Sequence, residues 1–451
     1  QVERAQDEVE LAEGVQQFTH VLAEDGFGLR PTDEPDRRSV CDWASDSHGQ
    51  QSLKVRNQVF NIFKQDHGPI ALDIGSEFIR MLQFRRTGSD AELVAHDEWQ
   101  FPDAIGNDVA ARRNATVKHV RQAIRQGGFL GRNVVTALPS ESVAIQNLRM
   151  SVRSTSTLEK DIRDKAAEMT GQAFVDGQFN YILAGDIRSK DSSKPEQEII
   201  AMTAPAEVVQ DHLDMLDDIG VMPMRIELDM TAMFHVFERV LRRQEDEDTV
   251  TVALDMGAKA TRVIVATGDQ LLFLKSIGIG GDHLTEAVAT HANLGISQAA
   301  ELRRNSAEQF SAFATPGAED AARNAKSSGA ESVLWTLRDA MRGPLDKLAK
   351  EVGLCLRYCA VTFRGVRPNR IHLCGGQARD SLVVRLLTEA MNADYHILDP
   401  FSRFDAKVAE AMGPQGRHLA DWTVCAGLAI GAMESQGDRK GESHESRRLS
   451  A

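Results

Sequence analysis

The feature that most constrains the fold is a short pattern that occurs twice in the 451 residues. An apolar run leads into an Asp-x-Gly turn and a second apolar run leads out, first over residues 68–84 and again over 249–265. Each copy predicts a β-hairpin, although one such turn alone is ordinary because Asp and Gly favour turns. The two aspartates, Asp73 and Asp255, lie 182 residues apart (255 − 73), and this repetition predicts two similar lobes with facing hairpins.

The residue types of the first hairpin suit a phosphate group. Gly75 lets the backbone approach an anion, and the Ser76 hydroxyl and neighbouring N–H groups can donate to phosphate oxygens. Asp73 can orient waters around Mg²⁺, which prefers carboxylate and phosphate oxygens. Arg80 lies where its cation can reach the same phosphate.

The second hairpin repeats this set of groups. Asp255 corresponds to Asp73, Gly257 gives the backbone clearance, and the Thr261 hydroxyl can donate as Ser76 does. The two hairpins therefore predict a clamp that holds phosphates from both sides, with Mg²⁺ bound through water by Asp73 and Asp255.

Two glycine pairs extend the predicted site. A buried strand is predicted to end at Gly375 and Gly376, which permit close approach of a flat base or a ribose. The helix predicted next, over 379–391, offers backbone donors at its first turn. Gly280 and Gly281 precede another helix, either as a structural bend or as a contact to the sugar phosphate.

Composition narrows the classes of function. The net charge of −14 argues against a general nucleic-acid binder, and no apolar stretch approaches the roughly twenty residues of a membrane span. The five cysteines are scattered and form no zinc-site spacing with histidine. We therefore expect a cytoplasmic protein without a nucleic-acid partner.

The pattern along the chain predicts five segments. They are an N-terminal extension with a helix and a linker (1–58), a first lobe (59–140), an inserted small α/β subdomain (141–222), a second lobe with a helical excursion at about 283–362 (223–434), and a polar tail (435–451). The subdomain includes a helix at 205–219, and the second lobe opens with a strand at 223–229. Strands mixed with helices in this order predict an α/β protein.

With these elements in order, the chain resembles the actin-like ATPase superfamily. Within it, the resemblance is to the PilM family of type IV pilus assembly and to the related FtsA of cell division. The more specific stretches are the start at 59–64, the strand at 134–140, the helix at 207–221 and the glycine turn at 280–287. The resemblance covers roughly residues 59–434 and implies a two-lobed actin-like ATPase fold of duplicated RNase H-like domains.

The resemblance also implies a function. It implies that the two hairpins and the Gly375-Gly376 strand end bind ATP with Mg²⁺. It implies slow or absent hydrolysis, with Asp229 near the first connecting helix as the best candidate for activating a water. The implied partner is the cytoplasmic N-terminal tail of a bitopic inner-membrane pilus or secretion protein, PilN-like. Membrane contact is then indirect, and a homo-oligomer stays open.

Other functions stay open at this point. One is a sugar-type small-molecule kinase of the same fold, although no catalytic Asp with its polar surroundings is visible. Others are an FtsA-like cell-division scaffold and a scaffold that binds no nucleotide. The tail at 436–451 lacks the apolar face of an FtsA-type membrane helix. Glu77 adds negative charge beside the first phosphate loop, so nucleotide binding is a firmer expectation than turnover.

Overall fold

The computed structural model describes residues 67–87, 90–151, 157–170, 177–187, 196–240, 250–268, 270–311, 328–363, 368–413 and 419–433. The predictions for the extension at 1–58, the run at 59–64 and the polar tail at 435–451 lie outside these residues. The strands are β1 (Ile70–Ile74), β2 (Phe78–Thr87), β3 (Asp90–Gln100), β4 (Asn133–Leu138), β5 (Ala144–Ser151), β6 (Gly177–Ile187), β7 (Glu196–Pro205), β8 (Met222–Leu228), β9 (Val250–Met256), β10 (Thr261–Thr267), β11 (Gln270–Ile277), β12 (Pro368–Cys374) and β13 (Tyr395–Ile397). The helices are α1 (Val109–Gln126), α2 (Leu158–Thr170), α3 (Ala206–Ile219), α4 (Asp229–Val240), α5 (Gly281–Ala292), α6 (Ile296–Ser311), α7 (Ser328–Thr362), α8 (Ser381–Met391), α9 (Ala406–Met412) and α10 (423–433).

Two five-stranded sheets have the same topology. Their strand orders are β3-β2-β1-β4-β8 and β11-β10-β9-β12-β13. In each sheet three consecutive strands form an antiparallel meander, and two later strands join in parallel at one side. The hairpin β1–β2 therefore corresponds to the hairpin β9–β10, and the predicted duplication is present in the strand order.

The central strand of each sheet is buried along its length. Ile70, Ala71 and Leu72 of β1 have no exposed surface, and Val252 and Leu254 of β9 are likewise buried. A strand that is covered on both faces is expected as a continuous apolar run rather than an alternating one. This explains why an apolar run directly precedes each Asp-x-Gly turn.

A third, antiparallel sheet of order β5-β7-β6 forms the insertion. Its own small core includes Leu148 of β5 and Ile162 of α2. The sheet contacts the second lobe, because the Asn147 side-chain amide donates to the Leu274 carbonyl at 3.0 Å. The inserted sheet is thus supported by β11 rather than standing alone.

The structure groups two elements differently from the sequence. Helix α3 packs with the first lobe, because its Leu216 and Ile219 share a core with Ile70 of β1 and Val120 of α1. Strand β8 pairs in parallel with β4 and forms the edge of the first sheet. The sequence placed α3 in the insertion and β8 in the second lobe, because a pattern along the chain does not show which sheet a returning strand joins.

Helices α4 and α10 cross closely. A Cβ atom on Gly427 of α10 would overlap with the Ala232 carbonyl oxygen of α4. Only glycine allows the two backbones to approach in this way. The small residues near the end of the chain predict such a crossing, and the structure has it.

Candidate functional site

Each hairpin brings an aspartate and an arginine opposite each other. The register pairs Asp73 with Arg80 across β1 and β2, and Asp255 with Arg262 across β9 and β10. Directly opposite residues project from the same face of a sheet. The sequence prediction missed Arg262, although the same spacing of seven residues (80 − 73 and 262 − 255) marks it.

Arg262 lies at the centre of an acidic cluster between the lobes. Its Nε lies 2.6 Å from Asp229 Oδ2 and donates to Ser140 Oγ at 3.0 Å, and its Nη1 lies 2.6 Å from Asp255 Oδ2. Its Nη2 lies 3.0 Å from Glu141 Oε1, which follows β4 of the first lobe. Burial would lower the pKa of Arg262, but Asp229 and Asp255 outweigh it and raise the pKa. The charged guanidinium therefore joins both lobes.

Asp255 is seated against the end of β12. The residue is buried, and a Cβ atom on Gly375 would overlap with its Oδ1. Gly375 has a φ of 82°, in the region that favours glycine. The predicted base-binding glycine thus lies directly on the aspartate of the second hairpin.

Asp229 is buried at the start of α4 and engaged by protein donors. Its Oδ2 accepts from the Ser140 N–H at 3.0 Å and from Arg262, and its Oδ1 accepts from the Met230 N–H at 2.7 Å. Burial raises the pKa of Asp229 to about 6, although Arg262 opposes the shift. The structure places the predicted catalytic candidate in the cluster, but with its oxygens already bound.

Asp73 is the open carboxylate of the cluster. It is half-buried, and its side chain accepts no hydrogen bond within the residues that the structure describes. Burial raises the pKa of Asp73 to about 6, with Arg80 and Arg262 lowering it and Asp229 and Asp255 raising it further. These mutual effects mean that the three predicted aspartates lie together between the lobes.

Arg80 has a different role from the predicted one. Its Nε donates to Glu98 Oε1 at 3.0 Å, and its Nη2 pairs with Asp421, which precedes α10. Asp421 also pairs with Arg379 of the second lobe. The guanidinium therefore ties β2 to the segment before α10, because two carboxylates hold it away from the phosphate position that the sequence suggested.

In the rest of the first turn, Gly75 is engaged by the backbone and Ser76 offers an open hydroxyl. The Gly75 N–H donates to the Phe78 carbonyl at 2.9 Å, and a Cβ atom on Gly75 would lie 3.0 Å from that oxygen. The half-buried Ser76 hydroxyl makes no hydrogen bond within the described part of the chain. The exposed Glu77 lies beside it, and desolvation together with Asp282 raises the pKa of Glu77.

The second turn is closed by its own backbone. Thr261 is buried, and its hydroxyl donates to the Ile279 carbonyl at 2.7 Å instead of pointing to a ligand. The Gly281 N–H donates to the Gly257 carbonyl at 3.0 Å, and a Cβ atom on Gly280 would lie 2.7 Å from the same oxygen. The glycine turn before α5 therefore packs on the hairpin, which favours the structural bend of the two predicted alternatives.

The region after β12 offers space rather than helix donors. Among the described residues, a Cβ atom on Gly376 would meet nothing within 4 Å, so its surroundings there are open. Helix α8 begins at Ser381 instead of residue 379, after a 3₁₀ turn. Asp380 caps it by accepting from its first backbone N–H groups at 3.1 and 3.2 Å. The predicted donors are thus satisfied within the chain.

Of the two carboxylates that are predicted to hold Mg²⁺ through water, Asp255 does not fit the metal. Among the described residues, no group of three or more His, Cys, Asp or Glu side chains is arranged to hold a metal ion. Asp229 and Asp255 face the Arg262 guanidinium, which repels a second cation at close range. Asp73 makes no ion pair within the part of the chain that the structure describes.

Two sheets of equal topology with an acidic cluster between them define an actin-like ATPase fold. A solved structure described as a PilM-PilN type IV pilus biogenesis complex has this fold, with a TM-score of 0.63, 20% identity, and coverage of 81% of this chain and 98% of that chain. The sequence model described as type IV pilus assembly protein PilM matches residues 71–310, more than half of the chain. The chain therefore belongs to the PilM family.

Other similarities are more distant. A sequence model described as cell division protein FtsA matches residues 252–400. MreB 5 of Spiroplasma citri bound to AMPPNP has a TM-score of 0.44 and 11% identity, covering 84% of this chain and 99% of that chain. EutJ from Carboxydothermus hydrogenoformans has a TM-score of 0.42 and 12% identity, covering 81% and 89%. No curated protein sequence matches the chain significantly.

Proposed function

We propose that the chain is the ATP-binding, actin-like component of a type IV pilus inner-membrane platform. The observation that carries nucleotide binding is the convergence of Asp73, Asp229 and Asp255 between two equivalent hairpins. The open Ser76 hydroxyl suits a phosphate, and the space at Gly376 suits a base or ribose. Membership of the PilM family supports the pilus assignment.

Two neighbouring glycines test the nucleotide site. Gly375→Ala should lower both the melting temperature and ATP affinity, because a Cβ atom there overlaps with Asp255. Gly376→Val should keep the melting temperature but weaken ATP binding, since its side chain enters open space that we assign to the nucleoside. Calorimetric titration measures the ATP affinity of each variant, and thermal unfolding measures its melting temperature. Equal heats in wild type and Gly376→Val, or no heat in wild type, would overturn the proposal.

We propose that nucleotide binding, rather than efficient turnover, is the activity of the site. Asp229 already accepts from Ser140, Met230 and Arg262, so it has little capacity to activate a water. Phosphate release from ATP should therefore stay near the buffer rate, and Asp229→Asn should leave it unchanged. Rapid release that Asp229→Asn abolishes would contradict this part of the proposal.

The proposed partner is the cytoplasmic N-terminal tail of a bitopic inner-membrane protein, PilN-like. It is supported by family membership and by the likeness to a PilM-PilN complex. No helix within the described ranges is long and apolar enough to cross a membrane. The protein would then reach the cytoplasmic face of the inner membrane through this tail. A labelled tail peptide should bind in fluorescence anisotropy, and a peptide of scrambled order should not; equal binding of both would refute the assignment.

An FtsA-like division scaffold is the second candidate, and the match of residues 252–400 favours it. The two functions differ in the proteins that they recruit. Affinity purification of the full chain should recover inner-membrane pilus proteins, and recovery of division proteins instead would favour the second candidate.

A further inference from the structure

We propose that Arg262 takes the place of the divalent cation at this site, so that the nucleotide binds without magnesium. The inference rests on the proposed nucleotide binding and deepens it. The ligand class is then a free nucleoside polyphosphate rather than its metal complex.

The contacts of Arg262 are those that a bridging cation would make. One guanidinium reaches Glu141 after β4, Asp229 at the start of α4 and Asp255 at the end of β9, at 3.0, 2.6 and 2.6 Å. A planar guanidinium presents five donors and can satisfy several carboxylates at once. A metal ion that linked the same three segments would have to expel it.

The surroundings are shaped for the guanidinium. A Cβ atom on Gly257 would lie 3.1 Å from Arg262 Nη1, so glycine at this position leaves the group its space. The Arg262 side chain is 15% exposed, and the side chains of Asp229 and Asp255 are each 6% exposed. Arg262 is therefore a buried, multiply bonded part of the site, unlike a surface arginine with a loose ion pair.

No carboxylate on the neighbouring strand competes for Arg262. Its partner across β10 and β11 is Ser276, whereas the equivalent Arg80 faces Glu98 across β2 and β3. The charge of Arg262 also reaches the opposite hairpin, because it lowers the pKa of Asp73. Arg262 therefore acts on the position between the hairpins, where Asp229 and Asp255 act in the opposite sense.

The wild-type protein gives the first test. ATP is titrated calorimetrically into the full chain in buffer with EDTA and in buffer with Mg²⁺. We expect dissociation constants within about threefold of each other, because Arg262 already occupies the position of the cation. Weakening by about tenfold or more in EDTA would overturn the inference and leave the proposed nucleotide binding intact.

The second test changes the resident cation. Arg262→Ser should weaken ATP binding in EDTA by roughly ten- to a hundredfold, and Mg²⁺ should restore much of it, because the carboxylates are freed for the metal. Arg262→Lys keeps a positive charge and should lose less. Arg113→Ala is the matched control, because it removes one positive charge from α1, where Arg113 pairs with Asp218. If Arg262→Ser weakens ATP binding equally in EDTA and in Mg²⁺, the inference is overturned.

A metal titration without nucleotide separates the two proposals. Mn²⁺ followed by electron paramagnetic resonance should show no saturable site in the wild-type protein and a new one in Arg262→Ser. If Arg262→Ser does not fold, the wild-type titrations alone decide. A saturable wild-type Mn²⁺ site that Asp255→Asn removes would overturn the inference. Failure of ATP to bind in either buffer would instead remove the proposed function, and the inference would fall with it.

Discussion

The two hairpins have the same register, but their arginines bind different carboxylates. Their registers align Asp73, Arg80 and Glu98 across the first sheet, and Asp255, Arg262 and Ser276 across the second. In the first sheet Glu98, with Asp421, holds Arg80 and leaves Asp73 without a hydrogen-bonding cation. In the second sheet a neutral serine stands opposite Arg262, which turns to Asp255. Two carboxylates, Glu98 on the third strand and Asp421 before α10, therefore hold Arg80, whereas Arg262 is left to bind Asp255.

The largest expected effect on stability comes from removing Asp421, which pairs with Arg80. Asp421→Ala should lower the free energy of unfolding by about 3–5 kcal/mol, because Arg80 and Arg379 lose a carboxylate that is only 2% exposed. Asp346→Ala is the control, since its pair with Arg342 is exposed and should be worth less than about 1 kcal/mol. Urea unfolding measures both. Equal losses would mean that the buried tie is no stronger than a surface pair.

The two aspartates should respond to neutralisation with opposite signs. Asp255→Asn should destabilise the fold by about 1.5–3 kcal/mol, because a buried charge-assisted bond to Arg262 is lost. Asp73→Asn should stabilise it by roughly 1–2 kcal/mol at pH 7.5, because the half-buried carboxylate is costly to ionise. Unfolding of both variants under identical conditions is the measurement. If both substitutions stabilise the fold, or both destabilise it, the proposed difference between the two aspartates is wrong.

The pH dependence follows from the raised pKa of Asp73. Its folded pKa of about 6 exceeds the ordinary value of 3.8, so ionisation opposes folding. The cost is complete above pH 6, shrinks between pH 6 and 3.8 and vanishes below. The stability gain of Asp73→Asn should therefore disappear as the pH is lowered towards 4. A gain that does not change with pH would show that it arises from packing.

One substitution on β11 can give the second sheet the charge that β3 carries in the first sheet. Ser276→Glu places a carboxylate opposite Arg262, as Glu98 stands opposite Arg80. We expect it to draw Arg262 from Asp255 and to weaken metal-free ATP binding by about tenfold, the equivalent of about 1.4 kcal/mol. Ser276→Gln controls for size without charge. The same loss in both variants would attribute the effect to bulk.

The smallest expected effect concerns Glu77. Glu77→Gln should tighten ATP binding by about two- to threefold at low salt, because a like charge beside the phosphate loop is removed. Glu92→Gln is the control, because Glu92 pairs with Arg85 at the other end of the same strands. If the gain in ATP affinity is unchanged at high salt, it arises from a direct contact of residue 77 rather than from long-range charge repulsion.

Features with a local cause were predictable. Helix α1 spans Val109–Gln126, and its ends have local causes, because Asp108 accepts from the Ala111 N–H and Gly127 ends the helix. The two hairpins follow from apolar runs broken by Asp-x-Gly turns. Gly375 was assigned to the site, and its φ of 82° explains why glycine is required.

Features that depend on distant partners were not predictable. Nothing in the residues around Arg80 indicates that Asp421, 341 positions away, pairs with it. The hydroxyl of Thr261 was expected to face a ligand, but the Ile279 carbonyl takes its hydrogen. Arg262 was detectable only through its spacing from Asp255, and its contacts with Asp229 and Glu141 require the folded lobes.

The order of residues was sufficient to predict the two repeated hairpins and the glycines of their turns, because hydrophobic periodicity and turn chemistry act over a few neighbouring positions. The partners of the charged groups were settled by folding alone. Asp73 and Asp255 stand in the same local sequence pattern, and they differ because β3 carries Glu98 and β11 carries Ser276. An ion pair depends on distance and burial in three dimensions, which a one-dimensional pattern does not contain.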